Sequence, residues 1–319
     1  MNNLINKKSL EVQTLENIKN SKSKNTNRAY KADFDHFKDF CKNNNLSHNK
    51  PEPKTISIYL TDLSIKGFKY STIRRRLVSI SLANKLSGNY IDTKHPVIDE
   101  NLKSIRRKIG SFQRGKSPIS LNELNEIVEL IDNEQKKISL RAIRNKAMIL
   151  IGFSGGFRRS EIVSLDFEDI TFVYEGIKIF LKKSKTDQYG EGFLKGIPYF
   201  DEEKLCPVKA LKKWLEVSKI SKGPIFRKIS KSQNILNNRL TDQSVALIIK
   251  KYVNYSGLNY HNFSGHSLRS GFATTAASLG ADERSIMNMT GHKSTSMVRR
   301  YIRETNLFSN NALNKIAKI

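Results

Sequence analysis

Four residues whose side chains can act on a phosphate group lie within one short stretch of the chain, 266–301. Guanidinium and imidazole groups donate hydrogen bonds to phosphate oxygens, and a tyrosine hydroxyl beside them can serve as a nucleophile. A His or Tyr by itself is more often a core or surface residue than a catalytic one. Together, the four residues predict one site that acts on a phosphate: His266, Arg269, His292 and Tyr301.

Three short helices are predicted to position these side chains. His266 and Arg269 are three residues apart, so the first turn of a helix places them on one face, and Gly280 ends that helix. Asp282 is a suitable N-cap for a second helix and Gly291 a suitable C-cap. The second histidine then follows directly in a sharp turn. A third helix begins a few residues later and carries the tyrosine.

This stretch resembles the C-terminal signature of the tyrosine recombinases, also called phage-type integrases. The resemblance rests on HSLR at 266–269, GH at 291–292 and a Tyr nine residues after that His. It extends through GFATTAASLGADERSIMNMTGHKSTSMVRRYIR and covers about residues 25–305. All six catalytic positions of the family pattern are filled, which implies an active enzyme. The implied catalytic residues are Arg158, Lys185, His266, Arg269, His292 and Tyr301.

The arginine nearest the N-terminus of this set lies in FRRSEIVSL, just past two glycines at 155–156. Arg158 is predicted at the start of a helix, with Glu161 three residues later. As a bare motif, this is more often a surface Arg–Glu pair. The spacing GxRxxE in the family implies that Arg158, rather than Arg159, is the first catalytic arginine. We interpret Glu161 as its structural support.

A lysine is expected on a hairpin between two strands. Three candidates lie close together, and the residues alone do not choose among Lys182, Lys183 and Lys185. The resemblance implies Lys185, because the family keeps its catalytic lysine in the same SKT setting. A flexible lysine there can reach the site as a proton donor, whereas the simpler interpretation is one more solvent-facing lysine.

The charge of the chain favours a polyanionic partner. Lys and Arg number 56 against 30 acidic residues, a net charge of +26, which is typical of nucleic-acid binding. The abundance of Lys, Asn and Ile can also reflect genome base composition. The two cysteines form no pattern, so reduced thiols and a cytoplasmic, nucleoid-associated protein are expected. The longest apolar run, 147–153, is too short to span a bilayer.

The periodicity of apolar residues predicts a multidomain, mainly α protein. An all-helical module without strand signals precedes a linker rich in Gly, Ser, Pro and basic residues. A mixed α+β catalytic domain with a small antiparallel sheet follows, its strands at 170–173, 177–181 and 193–199. The predicted organisation is a flexible tail or short helix over 1–25, a helical domain over 26–110, a linker over 111–118, a catalytic domain over 119–305 and a C-terminal helix over 306–319.

The helical module resembles the core-binding domain of the tyrosine recombinases, through TNRAYKADFDHFKDFC and YLTDLSIKGFKYSTIRRRLVSI. The resemblance implies a clamp on duplex DNA whose basic helices contact phosphates. A basic run can equally be a solvated helix face. The candidate DNA contacts are Arg74, Arg75, Arg76, Arg106 and Arg107.

The resemblance also implies a reaction and an assembly. The tyrosine attacks a scissile phosphate and forms a 3′-phosphotyrosyl link, so that neither ATP nor a metal cofactor is needed. Four protomers act on two double-stranded recombination sites, the helix at 306–319 docks on a neighbouring protomer or on its own domain, and accessory DNA-bending proteins are possible partners. The biological setting would be a mobile element, a plasmid or dimer resolution. Two alternatives stay open: a non-catalytic DNA-binding regulator on the same fold, or a telomere resolvase or type IB topoisomerase-like enzyme.

Overall fold

The chain folds into two compact units, Met1–Arg114 and Gly115–Ile319. The computed structural model describes residues 7–112, 115–135, 139–184, 190–305 and 313–316. Within these ranges the protein is mainly helical with two small antiparallel sheets, which confirms the predicted fold class. None of the described helices combines the length and the apolar character needed to cross a membrane.

The described residues of the first unit form five helices, and the last four of these enclose an apolar core. Its centre is formed by Phe37, Tyr59 and Ile73, all fully buried. The last helix begins at Pro96, whose ring fixes φ near the helical value and whose missing N–H would have no partner at that position. The helices are α1 Lys7–Asn20, α2 Lys24–Asn43, α3 Pro53–Ile65, α4 Tyr70–Leu86 and α5 Pro96–Ile109.

The second unit places a three-stranded sheet and a two-stranded sheet among helices. The helical elements are α6 Leu121–Gln135, α7 Leu140–Ser154, α8 Arg159–Ser164, α9 Pro207–Ser218, α10 Asp242–Tyr255, α11 Ser267–Ser278, α12 Glu283–Thr290, α13 Thr295–Thr305 and α14 Leu313–Ile316. The strands are β1 Ile170–Val173, β2 Gly176–Leu181, β3 Phe193–Pro198, β4 Arg227–Ile229 and β5 Ile235–Arg239.

Helix α7 forms the centre of this unit. It is buried along most of its length and packs against α6, α9 and α11. Its neighbour α6 begins with a capping box, in which Ser120 Oγ accepts from Glu123 N and Glu123 Oε2 accepts from Ser120 N. Burying α7 on several sides fixes the position of its C-terminal end, from which the site is built.

The larger sheet has the order β1-β2-β3 and is antiparallel throughout. Strands β2 and β3 are paired from Gly176↔Pro198 to Leu181↔Phe193, as predicted for the hairpin. In β3, Lys195 and Ile197 face the interior while their neighbours are exposed. The pair β4–β5 was not predicted, because its sequence is polar and shows no period of two.

Candidate active site

A glycine turn after α7 connects the parts of the site. Gly156 has a φ of +55°, a conformation that glycine adopts at little cost. Its carbonyl oxygen accepts a hydrogen bond of 2.9 Å from Arg269 Nη1, and the carbonyl oxygen of Gly155 accepts one of 2.7 Å from Lys195 Nζ. The same lysine donates to the carbonyl oxygen of Met289 at 2.5 Å. This turn therefore ties together α7, α11, α12 and β3.

Arg158 follows this turn as the N-cap of α8, as predicted. Its Nη1 donates to Glu161 Oε1 at 2.6 Å, and its backbone N–H donates to Glu161 Oε2 at 2.8 Å. The carboxylate is 3% exposed and the arginine side chain 18% exposed. Glu161 thus accepts hydrogen bonds from both the backbone and the guanidinium of Arg158. These contacts agree with the structural role predicted for Glu161.

Arg269 lies in the first turn of α11 and is completely buried. One of its five N–H groups is used at Gly156, while Nε and Nη2 have no hydrogen-bond partner among the described residues. A buried donor without a partner costs about 1–3 kcal/mol, and more when charged. The guanidinium is therefore held rigidly, with donors suited to the planar recognition of an anion.

The end of α12 places His292. Asp282 caps the helix by accepting from Arg284 N and Ser285 N, and Gly291 ends it in the left-handed conformation. Both caps are those predicted from the sequence. His292 is 6% exposed, and its Nδ1 lies 2.8 Å from the hydroxyl oxygen of Thr290. The ring lines a cavity of about 270 Å³ together with Arg158 and Glu161.

Tyr301 and His266 complete the described set. Tyr301 lies on α13, and its ring centroid is 6.3 Å from that of His292. His266 is the N-cap residue of α11 and is solvent-exposed. The structure therefore brings five of the six predicted catalytic residues together. The catalytic roles of these residues remain predictions. Lys185 lies outside the described residues.

Several basic side chains lie close together in the site, and their mutual repulsion adds to burial in lowering the pKa values of Arg269 and His292. Burial, then Arg158, lowers the pKa of Arg269 to about 10. Burial, followed by the charges of Arg269, Arg158, His266 and Lys195, lowers the pKa of His292 to about 3. Neutral His292 is consequently the form present at pH 7 in the free protein. The described residues contain no group of three or more side chains able to hold a metal ion.

Lys195 is a residue of the site that the sequence analysis missed. It is 2% exposed, lines the same cavity as His292, and its ammonium lies 4.2 Å from the ring centroid of Phe157. Burial lowers its pKa to about 7, with Glu161 opposing this effect. The feature that could have identified it is its position in β3. Lys195 lies two residues before Ile197 and pairs with Ile179, so its side chain belongs to the inner face of the strand.

The five arginines predicted to contact DNA lie in the first unit and differ in their partners. Arg75 Nη1 donates to the buried Asp33 at 2.5 Å, and Arg76 Nε lies 3.6 Å from the same carboxylate. Arg76 also stacks on Phe68, at 4.4 Å from the ring centroid. Arg75 is nevertheless exposed, as are the other three arginines, Arg74, Arg106 and Arg107.

Two family models match the chain. The model described as the phage integrase family matches residues 119–307, and the one described as the phage integrase N-terminal SAM-like domain matches residues 13–81. An integrase/recombinase xerD homolog of Selenomonas ruminantium is 43% identical over 314 residues, which are 98% of this chain and 91% of that protein. A tyrosine recombinase XerC of Herpetosiphon aurantiacus is 29% identical, with 88% of this chain and 85% of that protein covered.

Two solved structures share the fold. XerH site-specific recombinase bound to a palindromic difH substrate aligns with a TM-score of 0.59 at 20% identity, covering 84% of this chain and 70% of that one. The Tn1549 transposon integrase in complex with transposon right-end DNA aligns with a TM-score of 0.59 at 15% identity, covering 83% and 85%. At these identities the likeness concerns the fold.

Proposed function

Since this chain belongs to the phage integrase family of tyrosine recombinases, enzymes that break and rejoin DNA in site-specific recombination, we propose that it joins itself to DNA through Tyr301. The observation that carries this proposal is the placement of Arg269. Within the described part of the chain, Nε and Nη2 of this fully buried guanidinium have no hydrogen-bond partner, and the group lies beside His292 and Arg158. Such a site favours an oxyanion whose charge grows during the reaction.

The proposed reaction is a transesterification. The Tyr301 hydroxyl oxygen attacks the phosphorus of the scissile phosphodiester, the new P–O bond forms, and the bond to the 5′-oxygen breaks. His266 assists removal of the phenolic proton, and Lys185 gives a proton to the departing 5′-oxygen. Arg158, Arg269 and His292 bind the non-bridging oxygens. The phosphotyrosyl ester conserves the bond energy for rejoining.

We propose that the first unit holds the DNA duplex through phosphate contacts. Arg74, Arg106 and Arg107 are the strongest candidates, because their side chains are exposed and are not engaged by Asp33. Arg75 and Arg76 are the weaker candidates, since Asp33 already neutralises part of their charge. Contacts of this kind position the protein without reading sequence.

The assembly and the setting are proposals of the same kind. Four copies acting on two recombination sites would exchange strands in pairs, with the segment 306–319 docking on a neighbouring copy and accessory DNA-bending proteins assisting. The relatives named XerC and XerD homolog support a tyrosine recombinase, and we propose that it serves a mobile element, a plasmid or a dimer-resolution system. A deletion of 306–319 that still pairs two sites would argue against docking between copies.

The test of the chemistry is covalent trapping on suicide substrates. Nicked duplexes drawn from the genomic flanks of the coding sequence are incubated with the protein, and an SDS-stable protein–DNA band is expected to map to Tyr301. Tyr301→Phe should bind DNA without forming the band. The exposed Tyr255 supplies the matched control, because Tyr255→Phe should still form it. An adduct formed by Tyr301→Phe would refute the assignment, and tight binding without any wild-type adduct would favour the non-catalytic regulator.

A further inference from the structure

The hydroxyl of Thr290 makes contacts that determine where one proton lies. Thr290 is the last residue of α12 and is 1% exposed. Its Oγ1 lies 2.6 Å from the carbonyl oxygen of Ile286 and 2.8 Å from Nδ1 of His292. Its methyl group faces Gly156, in the turn that also receives Arg269. The side chain is therefore fixed on both its polar and its apolar side.

A hydroxyl has one hydrogen to donate, and a carbonyl oxygen can only accept. At 2.6 Å, the contact with Ile286 is a hydrogen bond in which Thr290 donates, since two acceptors at that distance would repel each other. Toward His292, the Thr290 oxygen can then only accept. Nδ1 of His292 must supply the hydrogen in that contact.

We infer that Thr290 is a positioning residue that holds neutral His292 in the tautomer with the proton on Nδ1, so that Nε2 meets the scissile phosphate without a proton of its own. The catalytic consequence of this inference rests on the proposed function. The hydrogen bond at one imidazole nitrogen commonly sets the state of the other. His292 can accordingly donate from Nε2 to a phosphate oxygen only after that nitrogen has taken up a proton.

The charges around the ring agree with this assignment. Arg158 from the N-terminus of α8, His266 and Arg269 from α11 and Lys195 from β3 all lower the pKa of His292. The free protein therefore keeps a neutral imidazole, for which the choice of tautomer matters. A bound phosphodiester adds a negative charge at the same place, which favours protonation of Nε2. The fixed tautomer ensures that this proton arrives on the nitrogen that Thr290 leaves available.

The experiment compares wild type, Thr290→Val and Thr290→Ser. Valine keeps the shape and the methyl contact with Gly156 but has no acceptor for Nδ1–H, and serine keeps the hydroxyl. The tautomer is determined from the ¹⁵N shifts of labelled histidines in the DNA-free protein, with His292→Gln identifying the signal among the six histidines. Adduct formation on a suicide substrate and DNA affinity are measured in parallel.

Wild type and Thr290→Ser should show a proton on Nδ1 of His292. Thr290→Val should lose that preference and, because the imidazole is no longer held by Thr290, form adduct about 10- to 100-fold more slowly, the loss that is typical when the orienting partner of a metal-bound histidine is removed, while DNA affinity is unchanged. A wild-type spectrum with the proton on Nε2 would overturn the inference, and so would a Thr290→Val variant that keeps the Nδ1 proton. Failure of the proposed function is separate: no variant would form an adduct, and the spectra would still decide the tautomer.

Discussion

Replacing Lys195 by Met should make the stability of the second unit depend on pH in a different way from that of the wild type. The ammonium is 2% exposed and donates to the carbonyl oxygens of Gly155 and Met289. Burial lowers its pKa to about 7, and the nearby Arg269 and Arg158 act in the same direction. Methionine has a similar length and no charge, so the comparison isolates the titration of this one group.

The sign follows from proton binding. An unfolded lysine titrates at its ordinary pKa of about 10.4, so between pH 7 and pH 10 the unfolded chain binds more protons at this position than the folded one. Stability therefore rises with pH in that window. One pH unit corresponds to about 1.4 kcal/mol, so the wild type should gain about 2 kcal/mol over Lys195→Met between pH 7 and pH 9. The two carbonyl groups left unpaired by methionine add a penalty of about 1–3 kcal/mol each that does not vary with pH.

Urea unfolding followed by tryptophan fluorescence measures this difference in the second unit. The chain has one tryptophan, Trp214, which is fully buried on α9 and donates to the carbonyl oxygen of Ile225. Lys178→Met is the matched control, because Lys178 is an exposed lysine on the adjacent strand β2. Its stability difference from wild type should not vary with pH. A difference for Lys195→Met that is the same at pH 7 and pH 9 would refute the reasoning and show that Lys195 stays charged throughout.

Three other predictions concern packing, the first arginine and the DNA contacts. A Cβ atom on Gly271 would lie 2.2 Å from the carbonyl oxygen of Ile119, so Gly271→Ala should destabilise the second unit by about 1–3 kcal/mol; an unchanged Trp214 transition in urea would contradict this. Glu161→Gln weakens a charged hydrogen bond to Arg158 worth about 1.5–3 kcal/mol and should slow adduct formation about 10- to 100-fold without loss of DNA affinity; an equal loss of affinity would point to misfolding instead. Arg107→Gln should reduce the slope of log affinity against log salt by about 1, whereas Lys103→Gln on the same helix, where Asp99 and Glu100 hold the ammonium, should leave that slope nearly unchanged.

Much of the fold could be predicted, because apolar periodicity and caps report directly on secondary structure. The apolar run at 147–153 and the caps at Asp282 and Gly291 are local signals, and the structure places the run in buried α7 and the caps at the ends of α12. The hairpin β4–β5 could not be predicted in this way. Its strands hold few apolar residues and their pairing is set by neighbours elsewhere, including the hydrogen bond from Leu240 N to Phe226 O at one end.

The residues of the candidate site likewise fall into those that could be predicted from the sequence and those that could not. The types and spacing of Arg269, His292 and Tyr301 predict them as site residues, because chemistry restricts which side chains can serve, whereas Arg158 is predicted only through the family pattern. Residues that act through others carry no such restriction in the sequence. Lys195 is one lysine in a lysine-rich chain, and it becomes distinctive only when the register of β3 turns it inward. Thr290 is an ordinary helix-terminal threonine until its distances to Ile286 and His292 are known.

Three buried basic side chains lower the stability of the free protein while serving its proposed function. Burial lowers the pKa of Arg269, Lys195 and His292, and in all three a neighbouring arginine adds to the effect. Each lowered value means that the fold by itself disfavours the charged form. In the proposed complex a phosphodiester brings negative charge to these donors, so DNA binding should stabilise this region. The same placement that weakens the free protein holds the donors fixed before charge develops on the phosphate, and this is what electrostatic catalysis requires.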